Sequence, residues 1–375
     1  MHFDIPFIRP VFPSAELIAQ DFRAIVSSNW YTNFGPRERE FSQAVAAYVG
    51  EGFHATSFNN ATTALIAALH TVLGQGDGQK HVLVPSFTFA AGPEAIEWAG
   101  YRPLFMDIEE GSLQPSFVDA QEILEGDRYA VVGILLGNTF GIGNADIDAW
   151  EKLADKFSLP LIIDSAAGFG SRYKDDRHVG GAGLCEIFSF HATKPFAIGE
   201  GGAVVTRDPE LAARLKAFEN FGFSAGIGAT TLGINGKLQE INAAIGLRQL
   251  ESFDDAIRSR QDVLARYRSA LNVEQYRFPE GIERSSICFA TLVAPSEKAR
   301  HASLQSLLKN GIEARAYYSP AVHTQPHFES AARASALSTT GLIVSRVLSV
   351  PVHQSMADEQ VDRVISALRN ATHEW

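Results

Sequence analysis

Short apolar runs alternate with amphipathic helical patterns from about residue 62 to residue 206. Most of these runs are apolar throughout and lack the polar alternation of a strand that faces water on one side. Continuous apolar strands separated by helices are typical of a mostly parallel sheet with helices on both faces, so we predict an α/β fold. The predicted strands are 81–84, 103–106, 130–136, 161–163, 186–190 and 201–206, and the predicted helices are 62–73, 90–99, 117–124 and 147–157.

The pattern changes near residue 240, where a long helical region begins and continues to about residue 271. Beyond it, mixed signals indicate a smaller α+β unit. We place the boundary near Ser252, so that 1–252 form the large domain and 253–375 the small C-terminal one. A helix at 15–26 is a candidate to pack on the small domain. The elements expected in the small unit are strands at 287–293 and 312–318 and helices at 296–310 and from Ala357.

Charge, cysteine content and hydropathy exclude several classes of protein. The formal net charge is −11 at pH 7, and no Lys or Arg run provides a nucleic-acid surface. Cys185 and Cys288 form no C-x-x-C pair, so we expect neither a metal site nor a disulfide. The N-terminus lacks the pattern of a signal peptide, and no apolar stretch approaches the roughly 20 residues of a membrane helix. We therefore expect a cytoplasmic protein without membrane contact.

Two segments at predicted strand ends are suited to hold a phosphate and a flat ring. Residues 60–63 follow a strand and open a helix, where free N–H groups such as those of Ala61 and Thr62 can bind phosphate. Phe89, in the segment 85–89, also follows a strand. Ligands bind at the carboxyl ends of parallel strands, so this ring is placed to cover a cofactor.

An acid and a lysine complete the pattern. Asp164 ends the strand 161–163, and a carboxylate there can keep a pyridine nitrogen protonated, which makes the ring an electron sink. Lys194 lies just past a strand among small residues, where its amine can approach a cofactor aldehyde. Ser189 offers a hydroxyl to phosphate, and His191 lies one helical turn before the lysine if this segment is helical.

Each feature alone has an ordinary structural explanation. The turn at residue 60 and Asp164 both fit helix N-caps, Phe89 fits core packing, and Lys194 fits a surface lysine. Their shared position at strand ends, in this order, favours one cofactor site.

At these residues the chain resembles the DegT/StrS-type sugar aminotransferases, which have the aspartate-aminotransferase fold, fold type I of the pyridoxal-phosphate (PLP) enzymes. The resemblance extends from about Trp30 to the C-terminal helix. The matching segments are S-F-H-x-T-K at 189–194 and E-G-G at 200–202, both in full, P-S-x-T-aromatic at 85–89, N-G-T-x-A-L at 60–65 with alanine for glycine, and D-A-A at 164–166 with serine in the middle.

The resemblance implies a role for each site residue. Lys194 is the catalytic residue and bonds to PLP, Asp164 holds the pyridinium nitrogen, and Phe89 stacks on the ring. The other residues that the resemblance places at the cofactor are Ala61, Thr62, Ala167, Ser189 and Asn235.

Asn235 implies a homodimer with shared active sites. It matches the asparagine of the family's G-x-N-x-R-x-x-E segment, which reaches the PLP phosphate of the partner subunit. The residues expected to face substrate are Tyr31, His191, Lys237 and Tyr318.

Three departures from the family pattern border the substrate. Ala167 stands where most members have a Gln or His that contacts the PLP hydroxyl. Asn138 lies in a segment, 136–141, that replaces the family's H-L-Y/F-G. Lys237 replaces an arginine, so a single point charge takes the place of a bidentate fork.

We predict a PLP-dependent aminotransferase that moves an amino group from glutamate to a nucleotide-linked ketosugar. Segments 164–169 and 220–223 resemble those of a subset of the family that acts at C-4 of 4-keto-6-deoxy nucleotide sugars. The resemblance implies such a substrate, for the synthesis of lipopolysaccharide O-antigen, other cell-surface polysaccharide or secondary metabolites. A PLP-dependent sugar dehydratase is one alternative, although that branch has histidine in place of Lys194. A catalytically idle PLP-binding homologue is another, disfavoured by the complete residue set. A nicotinamide dehydrogenase would need a G-x-G-x-x-G after a strand.

Overall fold

The computed structural model describes residues 3–224 and 226–375. The helices are α1 (Ala15–Ser28), α2 (Pro36–Val49), α3 (Ala61–Leu73), α4 (Ala91–Trp98), α5 (Phe117–Glu125), α6 (Ile147–Lys156), α7 (Pro209–Phe218), α8 (Glu240–Leu250), α9 (Phe253–Ala270), α10 (Glu297–Lys309), α11 (Ser338–Val344) and α12 (Asp358–Ala371). The strands are β1 (His54–Phe58), β2 (His81–Pro85), β3 (Arg102–Met106), β4 (Val131–Gly137), β5 (Leu161–Asp164), β6 (Cys185–Ser189), β7 (Gly202–Thr206), β8 (Phe223–Ser224), β9 (Gly228–Ala229), β10 (Ala290–Val293), β11 (Ala332–Arg333) and β12 (Val347–Val350).

Eight strands form one sheet in the order β1-β7-β6-β5-β4-β2-β3-β11. The strands from β6 to β11 in this order are mutually parallel, and β7 runs antiparallel to both of its neighbours. The predicted α/β fold with a mostly parallel sheet is thus confirmed. All carboxyl ends of the parallel strands consequently meet at one edge, where the predicted site residues lie.

Alternate residues of the strands pack on opposite faces of the sheet. Val82 and Val84 of β2 belong to a core cluster that includes residues of α3, α4 and α7. Leu83 belongs to the opposite cluster, with residues of α2, α5 and α6. Helices therefore cover both faces, which explains why the strands are apolar throughout.

Two expectations for the C-terminal part are wrong. The helical region from residue 240 to 271 is broken at Ser252, whose φ of −128° and ψ of 12° are not helical, so α8 and α9 are separate helices. The run 312–318 is not a strand either, because its backbone pairing consists of isolated bridges from Ile312 to Ile5 and from Arg315 to Ser349. The small sheet contains β10 and β12, paired antiparallel.

The two predicted units share contacts. β11, from the C-terminal part, pairs in parallel with β3 at the edge of the large sheet. Ile5 and Phe7 pack into the core that contains most apolar residues beyond 253. It is thus the segment before α1 that joins the C-terminal part, whereas α1 itself packs on α8 and its Asp21 pairs with Arg248. The boundary at 252/253 stays a prediction.

Within the described ranges, none of the helices is long and apolar enough to cross a bilayer.

Candidate active site

Asp164 and Lys194 both lie at the carboxyl edge of the sheet, near enough for the charge of Lys194 to act on the Asp164 carboxyl. Asp164 is the last residue of β5, and its Oδ1 accepts a hydrogen bond of 3.0 Å from the Ala166 N–H. Burial raises the pKa of Asp164, while the Ala166 bond and the charge of Lys194 oppose this increase. Both side chains remain partly accessible to solvent. An acid and an amine therefore share one space that a ligand can enter.

The turn that carries Lys194 is held by its own hydrogen bonds. The Lys194 N–H donates to the His191 carbonyl over 2.9 Å. The His191 ring contacts the Thr193 hydroxyl through Nδ1 at 2.8 Å, and its Nε2 lies 3.6 Å from Oε1 of Glu200. The Cys288 thiol, from the C-terminal part, donates to the Thr193 carbonyl at 3.4 Å. His191 is thus engaged within the loop that presents the lysine.

Ser189, Gly202 and the end of β1 lie side by side. In the sheet register, Gly202 of β7 is opposite both Ser189 of β6 and Phe58 of β1. A Cβ at residue 202 would lie 2.7 Å from the Ala61 nitrogen, so the second glycine of E-G-G allows the strand to approach the following turn. The Ser189 hydroxyl is therefore brought to the start of α3.

The start of α3 offers free backbone N–H groups. Asn60 caps the helix, and its Oδ1 accepts from the Thr63 N–H at 2.8 Å. The first helical hydrogen bond begins at the Ala64 N–H, so the N–H groups of Ala61 and Thr62 precede it. Both residues are partly exposed. Together with the helix dipole and the Ser189 hydroxyl, they form a cradle suited to a phosphate.

Aromatic side chains form one wall of this space. Phe89, four residues after the end of β2, is 62 % exposed. Its ring centroid is 6.3 Å from that of Tyr318, which stacks on Phe140 at 5.2 Å and an interplanar angle of 8°. Burial raises the pKa of Tyr318, and the nearby Cys288 and Asp164 increase it further. Tyr318 is therefore close to the acid, whereas the ring of Phe89 remains open to a ligand.

A buried polar cluster, which sequence reasoning missed, lies behind Asp164. The Glu186 carboxyl accepts hydrogen bonds from Ser165 Oγ at 2.6 Å, from Tyr173 OH at 3.0 Å and from the Ala182 N–H at 2.8 Å. Burial raises the pKa of Glu186 to about 7, against the effect of these donors. Ser165 directly follows Asp164, so the cluster anchors the end of β5.

Two of the departures from the family pattern have defined surroundings. The Asn138 side chain is buried: its Nδ2 donates to Ser165 Oγ at 2.8 Å and its Oδ1 accepts from the Asn144 N–H at 2.9 Å. It thus belongs to the cluster behind the site. Ala167 is partly exposed, and its carbonyl is so close to Gly141 that a Cβ there would lie 2.2 Å away.

Tyr31, Asn235 and Lys237 contact segments other than β5 and the lysine turn. The Tyr31 side chain is 46 % exposed, and its carbonyl accepts from the Glu240 N–H at 3.1 Å. Asn235 is exposed, and Lys237 donates to its Oδ1. The Asn235 carbonyl accepts from the side chain of Asn59 at 3.4 Å, so this segment borders the turn before α3.

Among residues 3–224 and 226–375, no three His, Cys, Asp or Glu side chains are grouped in a way that could hold a metal ion.

Comparisons with known proteins agree along nearly the whole chain. The model of the DegT/DnrJ/EryC1/StrS aminotransferase family matches residues 14–369. Protein Rv3402c of Mycobacterium tuberculosis is 47 % identical over 98 % of this chain and 90 % of its own length. The dTDP-4-amino-4,6-dideoxy-D-glucose transaminase of Escherichia coli is 28 % identical over 97 % of this chain and 98 % of its own. The crystal structure of DesI with its TDP-sugar product has a TM-score of 0.89 at 30 % identity, and covers 99 % of this chain and 94 % of that one.

Proposed function

Because the chain belongs to the DegT/DnrJ/EryC1/StrS aminotransferase family, whose members are PLP-dependent transaminases, we propose that it transfers the amino group of glutamate to a nucleotide-linked ketosugar. The observation that carries this proposal is the pairing of Asp164 and Lys194 in one accessible space beside a phosphate cradle. A ring nitrogen, an aldehyde and a phosphate would each meet a group of suitable chemistry there.

We assign the cofactor contacts as follows. Bound PLP supplies a protonated pyridine ring that stabilises negative charge on the substrate carbon. Asp164 keeps the ring nitrogen protonated, and Phe89 covers one ring face. Lys194 holds the cofactor, and its Nζ moves the proton of the substrate carbon. Phosphate is bound by Ser189 and by the start of α3, at Ala61 and Thr62. Ala167 would stand beside the ring hydroxyl when PLP is bound.

We further propose a homodimer in which Asn235 completes the phosphate site of the partner subunit. The exposed position of Asn235 supports this assignment. Large apolar side chains nearby are also exposed, among them Phe221 at 45 % and Phe223 at 48 %. Apolar side chains of this size in one region are typical of a surface that is covered by another subunit.

The substrate proposal is supported by the relatives. The Escherichia coli relative is named for a dTDP-4-amino-4,6-dideoxy sugar, and DesI was crystallised with a TDP-sugar product. We propose a 4-keto-6-deoxy sugar for this chain as well, for the synthesis of cell-surface polysaccharide or of secondary metabolites in the cytoplasm. Tyr31, His191 and Tyr318 stay assigned to the substrate side, with His191 also supporting the lysine loop.

Incubation with L-glutamate and a panel of nucleotide-linked ketosugars tests this function. We expect one panel member to be converted to its amino sugar, with one equivalent of 2-oxoglutarate, by mass spectrometry. Lys194→Ala should abolish turnover, because it removes the amine that would hold PLP and move the proton. Lys174→Ala, which removes an exposed lysine, is the matched control and should turn over normally. Turnover by Lys194→Ala at the rate of the unmodified protein, or no amination of any ketosugar, would refute the proposal.

A further inference from the structure

Lys237 fixes the orientation of the Asn235 carboxamide. Its Nζ lies 2.7 Å from Oδ1 of Asn235. A lysine ammonium can only donate hydrogen bonds, so the amide atom that faces it has to be the oxygen. The amide –NH₂ group is then turned away from Lys237. Asn235 is exposed whereas Lys237 is 9 % exposed, so the donor end of the amide is left on the outer side.

The surroundings of Lys237 are suited to hold a cation in this position. The ammonium lies 4.6 Å from the ring centroid of Phe221, within the range of a cation–π interaction. Burial lowers the pKa of Lys237, and the negative charge of Glu219 opposes this decrease. Glu219 is fully buried, and neither of its carboxyl oxygens has a hydrogen-bond partner in the described part of the chain. Burial raises the pKa of Glu219 well above its usual range, and the charges of Lys216 and Lys237 oppose this increase.

We propose that Lys237 is a positioning residue for phosphate binding, acting through Asn235, and not a substrate contact. The inference rests on the proposed function, in which Asn235 binds the PLP phosphate of the partner subunit. A phosphate needs a donor, and an amide that rotated freely would present its oxygen to the anion part of the time. By occupying that oxygen, Lys237 leaves Asn235 with only its –NH₂ group to offer.

A double-mutant cycle on PLP affinity tests this role without a measurement of turnover. PLP is titrated into the cofactor-free dimer, and its dissociation constant is measured by absorbance. Asn235→Ala and Lys237→Met should each weaken binding by about tenfold, the size expected for one charge-assisted hydrogen bond. The double variant should bind no more weakly than either single variant, because both changes remove the same interaction.

Two variants control for the loss of a cation that lies beside an aromatic ring and a carboxyl group. Lys216 also lies over an aromatic ring, that of Phe34 at 4.2 Å, and beside a buried carboxylate, Glu38 at 3.5 Å. Lys216 contacts Glu38 and Phe34 and not Asn235, so Lys216→Met should change PLP affinity by less than about threefold, much less than the loss of one hydrogen bond to a charged group. Lys237→Arg keeps a donor and should retain most of the affinity.

The outcomes separate the inference from the proposed function. If Lys237→Met weakens binding as much in the Asn235→Ala background as alone, Lys237 does not act through Asn235 and the inference is overturned. If Asn235→Ala has no effect, the assignment of Asn235 to the phosphate fails and the inference fails with it, while transamination is judged by its own assay. If Lys237→Met does not fold, the PLP affinity of Asn235→Asp tests the orientation of the side chain instead. This variant keeps the contact to Lys237 but turns an oxygen outward, so it should bind PLP more weakly than Asn235→Ala, and tight binding would refute the orientation.

Discussion

Glu186→Gln tests whether the buried carboxyl group behind Asp164 is protonated in the folded protein. The carboxyl is fully buried, and burial raises its pKa from 4.5 to about 7 although Ser165, Tyr173 and two backbone N–H groups donate to it. A protonated carboxyl can donate to the Ser165 hydroxyl in return. Glutamine has nearly the same shape and the same mixture of one donor group and one acceptor, so it reproduces the protonated form at every pH.

The sign of the effect follows from the direction of the shift. The pKa of Glu186 is higher in the folded protein than in the unfolded chain, so the stabilisation from the bound proton is complete below about pH 4.5 and is lost as the pH rises through about 7. At about 1.4 kcal/mol per pKa unit, this loss amounts to about 2.5 kcal/mol between pH 5 and pH 8. Residue 186 does not titrate in the Glu186→Gln variant. The free energy of unfolding of this variant, relative to that of the unmodified protein, should therefore rise by that amount as the pH increases from 5 to 8.

Urea unfolding at several pH values between 5 and 8 measures the difference in free energy of unfolding between Glu186→Gln and the unmodified protein. The concentrations of protein and PLP are kept fixed, because ligand binding and subunit association both affect stability. Glu122→Gln, on the exposed surface of α5, is the matched control and should show a nearly constant difference from the unmodified protein over this range. A constant difference for Glu186→Gln would refute the raised pKa. A difference that moves in the opposite direction would show that the donors around Glu186 stabilise the carboxylate.

Two further predictions concern the site and its support. Asp164→Asn should retain PLP but lower kcat by roughly a hundredfold or more, because an amide cannot balance the charge of a protonated ring nitrogen; separate measurements of cofactor content and turnover check this. A cofactor-loaded Asp164→Asn variant with normal kcat would exclude that role. Gly35→Ala should lower the free energy of unfolding by about 1–3 kcal/mol, because its Cβ would lie 2.3 Å from the Glu240 carboxyl carbon. Gly341→Ala, whose Cβ meets no atom within 4 Å, is the control, and equal urea midpoints for the two variants would contradict the prediction.

The sheet and the placement of its ligand edge could be predicted because they depend on local patterns. Continuous apolar runs such as β4 and β5 reflect burial on both faces, and parallel strands bring their carboxyl ends together whatever the details of packing. Asp164 and Lys194 could therefore be paired from the sequence, and the structure places them within electrostatic range of one another. Their roles in catalysis stay predictions.

The features that the sequence does not predict depend on contacts between side chains or between distant segments. Glu186 lies in β6 among buried residues, and its partners Asn138 and Tyr173 lie in other segments, so no spacing in the sequence reveals the cluster. The bond from Lys237 to Asn235 is short in sequence but depends on side-chain orientation. The break at Ser252 is not evident from the sequence because no glycine or proline interrupts residues 247–271.

The late position of β11 has a consequence for synthesis of the chain. The large sheet needs residues 332 and 333 beside β3, yet β3 itself ends at residue 106. More than half of the chain is therefore synthesised after β3 and before β11, its outer neighbour in the sheet. During that time one edge of β3 presents unpaired N–H and C=O groups, which other nascent chains can pair with. A ribosome that stalls before residue 332 would release a sheet with an open edge, and we expect such fragments to aggregate or to be degraded.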